Sequence, residues 1–284
     1  MPDPRPSPYP FLYERVIRRA LEEDLGGAGD ITTDAIVNPD RRASGNIVAR
    51  ARGCVAGLQI AAAAFRLLDP SVEIDERVAD GAEVEPGRVL AAVRGPARPI
   101  LSAERTALNL LGHLSGIATA TRALVTAVAG HRAHIVCTRK TTPGLRALEK
   151  YAVRAGGGAN HRFGLDDAVL IKDNHRAIAG GIVPALEAVR RHVGHMVKIE
   201  VEVDTIDQLE AALGAGADAV LLDNMTLPDL ARAVALSRGR AVTEASGGIT
   251  LETAREVAAT GVDLISVGWI THSAPQLDVA LDIE

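Results

Sequence analysis

Two cations stand side by side where a short apolar run ends. In the stretch HIVCTRKT, residues 134–141, Arg139 and Lys140 follow the apolar residues 135–137. Strands often end in solvated charges, which is the ordinary explanation. The alternative is an anion site, because guanidinium and ammonium groups bind carboxylates and phosphates.

Five later apolar runs also lead directly into polar or glycine residues. The six runs are followed or closed by Arg139-Lys140, Lys172-Asp173-Asn174-His175, Glu202, Asp223-Asn224, residues 244–248 and Gly268. In a parallel α/β barrel the carboxyl ends of the strands meet at the face that carries the active site. One such charge is an ordinary loop residue, whereas six successive polar ends predict a site at that face.

The residue types at these ends indicate the chemistry. Arg139, together with His161 and Arg162, predicts a multiply anionic ligand, because the planar guanidinium donates two parallel hydrogen bonds to a carboxylate. Glu202 and Asp223 leave three alternatives open: they bind ribose hydroxyls, hold Mg²⁺ through water, or support a developing cation.

The glycine-rich stretches allow two interpretations each. Ser246-Gly247-Gly248 and Gly268 lie where barrels commonly bind phosphate on backbone N–H groups, although SGG alone is usually a turn. AGGGANHRFGL, residues 155–165, is either a flexible loop or a backbone that approaches a ligand closely. Arg105 lies outside the barrel, on a connecting helix, and is a surface charge unless another subunit brings it to a site.

Composition narrows the class of protein. The chain has 284 residues, 47% hydrophobic and 2% aromatic, which suits helices packed on parallel strands. A net charge of -5 and a pI near 5.9 argue against a protein held on nucleic acid or an anionic membrane. Cys54 and Cys137 predict buried free thiols in a reducing compartment. No apolar run is long enough to cross a bilayer, so we expect a cytoplasmic protein.

The elements that must position these residues can be traced from the pattern. After a Pro-rich opening, a helix is expected at 12–25, then a small sheet region at 45–95 with one helix at 59–68. A long helix at 100–128 follows. Apolar runs then recur every 20 to 30 residues, near 135–137, 168–171, 199–203, 219–222, 241–242 and 264–267, with helices at 183–193, 205–216, 227–237 and 251–261. This spacing is typical of βα units and predicts a parallel barrel or open sheet of about six strands.

A family resemblance covers nearly the whole chain. TRKTTPGLRALEKYAVRAGGG, NHRFGL, VLIKDNH, EVEV, LLDN, EASGG and VGWITHS, in that order, resemble the quinolinate phosphoribosyltransferase family, the decarboxylating nicotinate-nucleotide pyrophosphorylases. GDITT at 29–33 and LSAERTALNLLGHLSGIAT at 101–119 extend the match. The motifs are long and correctly ordered, so the resemblance is specific.

The resemblance implies a fold and an assembly. It implies an α/β sandwich domain over residues 1–115, an open parallel α/β barrel of six to seven strands over 116–274, and a tail, 275–284, that packs back onto the first domain. It also implies a homodimer, or a higher homo-oligomer, in which Arg105 enters the neighbouring active site.

The resemblance also implies a reaction. Phosphoribosyl is transferred from phosphoribosyl pyrophosphate to quinolinate with decarboxylation, giving nicotinate mononucleotide, pyrophosphate and CO₂ for NAD biosynthesis. Mg²⁺ is the expected cofactor, and no organic cofactor is expected. The implied quinolinate ligands are Arg105, Arg139, His161, Arg162 and Lys172. The implied catalytic residues, facing phosphoribosyl pyrophosphate and its Mg²⁺, are Lys140, Glu202 and Asp223, with Glu202 and Asp223 near the metal. The residues implied to bind the 5′-phosphate are Ser246, Gly247, Gly248 and Gly268.

Two residues depart from the family pattern, and we expect them to affect only the shape of the pocket and of the phosphate loop. Trp269 follows Gly268 where a small residue is expected, and Ala159 precedes Asn160 where a larger one is common.

The sequence is less compatible with four other interpretations. Lys172 could be the nucleophile of a Schiff-base aldolase, which leaves the other cations without a role. A related transferase could act on a different aromatic acid. Residues 80–95 resemble half of a lipoyl or biotinyl carrier, yet no lysine occurs between 47 and 101. The acidic pair and Gly-Thr loop of the other phosphoribosyltransferase fold is not found.

Overall fold

The structure, a computed structural model, describes residues 8–284. Most of the Pro-rich opening lies outside the described residues. The chain divides into two compact units: the first comprises the residues up to 122 with 141–157 and 269–284, and the second comprises 123–140 and 158–268. The domain limits expected from the sequence, 1–115 and 116–274 with the tail 275–284, stay predictions.

The elements follow one another in this order. The helices are α1 (Pro10–Leu25), α2 (Ile31–Ile36), α3 (Leu58–Leu68), α4 (Ala97–Ala127), α5 (Arg146–Ala155), α6 (Asp173–Ala179), α7 (Ile182–His192), α8 (Ile206–Gly214), α9 (Leu227–Ser237), α10 (Ala254–Ala259) and α11 (Trp269–His272). The strands are β1 (Arg42–Ala49), β2 (Gly53–Cys54), β3 (Glu73–Glu76), β4 (Glu83–Val84), β5 (Val89–Pro96), β6 (His134–Val136), β7 (Val169–Ile171), β8 (Ile199–Val203), β9 (Ala219–Asp223), β10 (Val242–Ser246), β11 (Leu264–Ser266) and β12 (Val279–Ile283).

The first unit is built on an antiparallel sheet in the order β12-β1-β5-β3, with β2 and β4 forming a separate pair. Helix α1 buries Tyr13, Ile17 and Leu21, which recur at one-turn spacing and so line one face of the helix. That helix packs against α3, and α3 contacts β3. One apolar helix layer therefore covers a strand layer.

The second unit is built on a six-stranded parallel sheet in the order β6-β11-β10-β9-β8-β7. The first two strands of the unit thus lie at opposite edges of the sheet, as in a barrel that is left open. A single parallel bridge joins Val136 to Ala159, so the segment before His161 runs alongside β6. The predicted fold class, an α/β protein with an N-terminal α/β sandwich and an open parallel α/β barrel, is confirmed.

Most of the helices and strands expected from the sequence are present, but the end of one strand was placed too early and some short helices were missed. Helix α9 matches its expected range, since Thr226 caps its first turn and a proline follows at the start. The fifth strand of the barrel was expected to end at 242, but β10 continues to Ser246. Glu244 therefore lies within a strand and not after it. Helices α2, α5 and α6 were not expected from periodicity, because each is short or polar.

A membrane-spanning segment is not found among residues 8–284: each helix there is too short or too polar to cross a bilayer.

Candidate active site

The register of the parallel strands brings the predicted polar residues to one face of the sheet. Glu202 pairs with Leu221, and Asp223 pairs with Ser246. Because side chains alternate between the two faces of a strand, residues two apart share a face. Glu200 therefore lies on the same face as Glu202, and the carboxyl ends of β8, β9 and β10 present three polar groups together.

Lys172 and Glu202 form an ion pair across the ends of β7 and β8. The Lys172 Nζ lies 3.1 Å from Glu202 Oε2, and the Asp173 N–H lies 3.5 Å from Oε1. The carboxylate is 10% exposed and the lysine 48% exposed. The pair therefore presents one buried acid and one cation that solvent and a ligand can both reach.

Asp223 ends β9 close to Glu202. Burial and then the charge of Glu202 raise the pKa of the Asp223 carboxyl above its usual range. The Asn224 amide donates a hydrogen bond of 2.8 Å to Asp223 Oδ2, and Asn224 adopts a left-handed backbone with φ 53. A neighbouring cation would relieve the repulsion between the two carboxylates.

The glycine stretch after β10 makes a tight turn against the end of β9. Gly247 has φ 96, and a Cβ added there would overlap the side-chain amide of Asn224. The Asn224 N–H donates to the carbonyl of Ser246 at 2.9 Å. Gly248 also has a positive φ, but open space lies around its Cα. Only glycine therefore fits at position 247. The tight turn at this position fixes where Gly248 lies in the loop.

Arg162 and Arg139 lie close enough to affect one another. Burial, and then repulsion by Arg139, lower the pKa of the Arg162 guanidinium, while Glu200 and Asp167 act in the opposite direction. Arg162 Nη1 donates to the carbonyl of Ala168 at 2.8 Å, but its Nε is buried and has no hydrogen-bond partner among the described residues. A buried donor without an acceptor is costly, so this guanidinium is suited to an anionic ligand.

Lys140 is exposed, and its backbone N–H donates to Thr138 Oγ1 at 3.0 Å. This bond fixes the turn that follows β6. Gly268 follows β11 at the same end of the sheet.

His161 uses both of its ring nitrogens within the second unit. Its Nδ1 accepts the backbone N–H of Arg162 at 2.8 Å, and its Nε2 lies 2.9 Å from Glu200 Oε2. Nε2 also lies 3.7 Å from Glu244 Oε1, which is too long for a hydrogen bond. The imidazole therefore faces two carboxyl groups.

Glu200 and Glu244 were not among the predicted site residues. With His161 they form the one group of three possible metal ligands found among residues 8–284, and Glu202 and Asp223 do not belong to it. A signal was present in the sequence, because Glu200 and Glu202 in EVEV, like Glu244 and Ser246 in EAS, are spaced to share one face of a strand.

Arg105, Trp269 and Ala159 are found in different settings. Arg105 lies on α4 in the first unit, with its side chain 65% exposed and 4.0 Å from Glu104. Trp269 begins α11. Ala159 is exposed and forms the bridge to Val136 of β6. The ligand roles of all twelve predicted site residues stay predictions.

Two family models match the chain in succession. Residues 30–115 match the description "Quinolinate phosphoribosyl transferase, N-terminal domain", and residues 117–282 match "Quinolinate phosphoribosyl transferase, C-terminal domain". The chain belongs to the quinolinate phosphoribosyltransferase family. It is therefore a transferase enzyme, and the resemblance drawn from the motifs is confirmed.

Relatives and solved structures of the quinolinate phosphoribosyltransferase family agree with this membership. The chain is 46% identical to the probable nicotinate-nucleotide pyrophosphorylase (carboxylating) of Bacillus subtilis, over 95% of this chain and 93% of that protein. It is 48% identical to the Mycobacterium leprae nicotinate-nucleotide pyrophosphorylase (carboxylating), over 94% and 95%. The structure of NadC from Streptococcus pyogenes superposes with a TM-score of 0.95 at 38% identity, covering 98% of this chain and 99% of that one. The nicotinate-nucleotide pyrophosphorylase of Francisella tularensis gives 0.94 at 37% identity over both full chains.

Proposed function

We propose that this enzyme transfers phosphoribosyl from phosphoribosyl pyrophosphate to the ring nitrogen of quinolinate and releases pyrophosphate and CO₂. The product is nicotinate mononucleotide, a precursor of NAD. Family membership supports the reaction class, and the charges of the second unit support the substrate class.

The proposal rests mainly on the proximity of the Arg139 and Arg162 guanidinium groups, which interact electrostatically. Two neighbouring guanidiniums repel each other, and an anionic ligand bound beside them would relieve that repulsion. The buried, unpartnered Nε of Arg162 adds an unused donor. A pyridine with two adjacent carboxylates fits this need better than a monocarboxylate such as nicotinate.

The acidic residues support the donor side of the reaction. As the bond between C1 and pyrophosphate breaks, positive charge develops on the ribose, and Glu202 and Asp223 lie together at the strand ends to stabilise it. Lys140 and the loop 246–248 are assigned to the pyrophosphate and the 5′-phosphate, because backbone N–H groups in a tight glycine turn bind phosphate oxygens.

Mg²⁺ fits this acidic pair. Its preferred ligands are carboxylate oxygens and water, and the repulsion that raises the pKa of Asp223 would be relieved by a divalent cation. Glu202 and Asp223 would hold the ion, in part through water, and the ion would neutralise charge on the departing pyrophosphate.

Decarboxylation needs little help from the protein. Once the ring nitrogen bears the ribose, its positive charge stabilises the electron pair left at C2 when CO₂ departs, and C2 then takes up a proton from water. The residues of this chain orient the two substrates and supply fixed charge, so no covalent nucleophile is required.

The Schiff-base alternative for Lys172 is less favoured. Imine formation requires a neutral amine, and the 3.1 Å contact with Glu202 stabilises the charged ammonium. A homodimer, an Arg105 that acts in the neighbouring subunit, and a cytoplasmic location remain part of the proposal.

The test is a coupled assay of the purified protein with Mg²⁺, phosphoribosyl pyrophosphate and either quinolinate or nicotinate. We expect nucleotide and CO₂ from quinolinate, little product from nicotinate, and a large loss in Arg139→Ala. Product from nicotinate alone, or none from quinolinate, would overturn the proposal.

A further inference from the structure

In the buried cluster of His161, Glu200 and Glu244, the two glutamates have no part in the mechanism above. The ligand atoms of the cluster all lie within 4.8 Å of one another. Glu200 comes from β8, Glu244 from β10, and His161 from the segment bridged to β6. The Glu244 side chain is 1% exposed, and its Oε1 is buried without a hydrogen-bond partner among the described residues. Buried carboxyl oxygens in proteins are normally hydrogen-bonded, so this one needs a physical explanation.

The hydrogen bonds of His161 fix where its proton is. Nδ1 accepts the Arg162 N–H, so a neutral imidazole must carry its proton on Nε2. That N–H donates to Glu200 Oε2 at 2.9 Å. A metal ion at the cluster would need the Nε2 lone pair, which the proton occupies. The cluster is therefore arranged to hold protons and not a metal.

The same geometry distinguishes the two carboxyls. Glu200 accepts a hydrogen bond from the imidazole N–H. Glu244 receives no such bond at Oε1, and the carboxylate of Glu200 lies within 4.8 Å of its own. A second charge here would be buried next to a like charge, so Glu244 is the member that keeps a proton.

We propose that Glu244 is a positioning residue that works as a neutral carboxylic acid and limits the buried cluster beside the acid-binding cations to one negative charge. The inference rests on the proposed function, because the ligand concerned is the dianionic acid. A second charge on Glu244 would oppose the attraction of the nearby cations for that acid.

The surrounding groups agree with this assignment. Burial, followed by the charge of Glu200, raises the pKa of Glu244 to about 7, while His161 and the Ser266 hydroxyl act in the opposite direction. The charge of Glu200 also acts on Arg162, which Arg139 repels. The ionisation of Glu244 therefore falls within the working pH range of an enzyme.

The kinetic test compares the wild type with Glu244→Gln, which mimics the neutral acid, between about pH 6 and pH 8, the window around this ionisation. We expect the wild-type KM for quinolinate to rise with pH by on the order of tenfold, while kcat changes less. A tenfold change corresponds to about 1.4 kcal/mol of repulsion between the ionised Glu244 and the bound acid. Glu244→Gln should keep a low KM throughout. The control Glu187→Gln, at an exposed position of α7, should follow the wild type. A purely structural role would not remove the pH dependence, so an unchanged rise in KM in Glu244→Gln would overturn the proposal.

A second measurement reads the proton directly. The infrared C=O band of a protonated carboxylic acid should be present in the wild type near pH 6, fade as the pH rises, and be missing in Glu244→Gln. The absence of the band in the wild type would overturn the proposal, as would a stoichiometric metal ion that the variant loses. If Glu244→Gln does not fold, the wild-type pH titrations of this band and of KM decide. If quinolinate is not a substrate, the proposed function fails while the infrared result still reports on Glu244.

Discussion

The ammonium of Lys172 and the carboxylate of Glu202 lie 3.1 Å apart across the ends of neighbouring parallel strands. This contact joins Lys172, which is assigned to quinolinate, with Glu202, which is assigned to phosphoribosyl pyrophosphate. The two halves of the proposed site are thus electrostatically connected before either substrate arrives.

We predict that Lys172→Met lowers kcat/KM for quinolinate by about 10- to 100-fold, because a charged hydrogen bond contributes about 1.5–3 kcal/mol. The melting temperature should also fall, by at least about 2–4 °C, because the substitution leaves the buried Glu202 carboxylate without its cation. Steady-state kinetics and calorimetry check the two effects. Lys198→Met is the control: its 2.8 Å pair with Asp218 lies at the start of β8, and we expect its kinetics to match the wild type. Equal kinetic losses in both variants would contradict the assignment.

We predict that Arg162→Lys raises the KM for quinolinate about tenfold or more, although the charge is kept. Lysine lacks the planar fork, so neither the bond to Ala168 nor the unpartnered Nε position is reproduced. Initial rates at varied quinolinate measure the effect. Arg232→Lys, at an exposed position of α9, is the control and should leave KM unchanged. An Arg162→Lys enzyme with a wild-type KM would remove this guanidinium from the acid site.

We predict that Asp223→Asn stabilises the protein at pH 7 while lowering activity by about 100-fold or more. The pKa of Asp223 is raised in the folded state by burial and by Glu202, so the folded protein loses stability as the pH rises from the unfolded pKa to the folded one. Removing the charge removes that cost. Thermal melts at several pH values, with rates at saturating Mg²⁺, measure both consequences.

Asp218→Asn provides a control of opposite sign for the stability effect. Burial acts to raise the pKa of Asp218, but the hydrogen bonds from Lys198 and the Ile199 N–H outweigh it and hold the pKa low. Its contribution is present above the unfolded pKa and is lost as the pH falls through the folded value. Asp218→Asn should therefore be less stable than the wild type at pH 7, and stabilisation by both substitutions would refute the electrostatic explanation.

We predict that Gly247→Ala is more damaging than Gly239→Ala, although both glycines have a positive φ. A left-handed alanine costs about 1–2 kcal/mol at either position. At Gly239 the added Cβ meets open space, whereas at Gly247 it overlaps Asn224 and must displace the turn. Chemical denaturation should show the larger loss in Gly247→Ala, and kinetics should show a raised KM for phosphoribosyl pyrophosphate in that variant only. Equal losses would mean that the turn adapts freely.

The sequence was sufficient to predict the parts of the fold that repeat. Apolar runs with helices between them predict a parallel sheet, and Thr226 with the following proline marks the start of α9 to the residue. The end of β10 was not found, because Glu244, which is buried, and Ser246, which is half-buried, resemble loop residues by composition. Charged residues inside a barrel are recognised only when the register shows which face they share. Glu200 and Glu244 were missed for that reason, while Glu202 was found because the neighbouring runs also ended in polar residues.

The pairing of β12 with β1 has a consequence for synthesis on the ribosome. Gly45 is in register with Ile283, and Ser44 donates a hydrogen bond to Glu284, 240 residues later. The four-stranded sheet of the first unit therefore cannot gain its edge strand until residue 283 has left the ribosomal tunnel. The six parallel strands end at Ser266, so they can associate earlier. Because translation proceeds at about 5–20 residues per second, the edge of β1 stays unpaired for much of synthesis, and the unit that begins first is completed last.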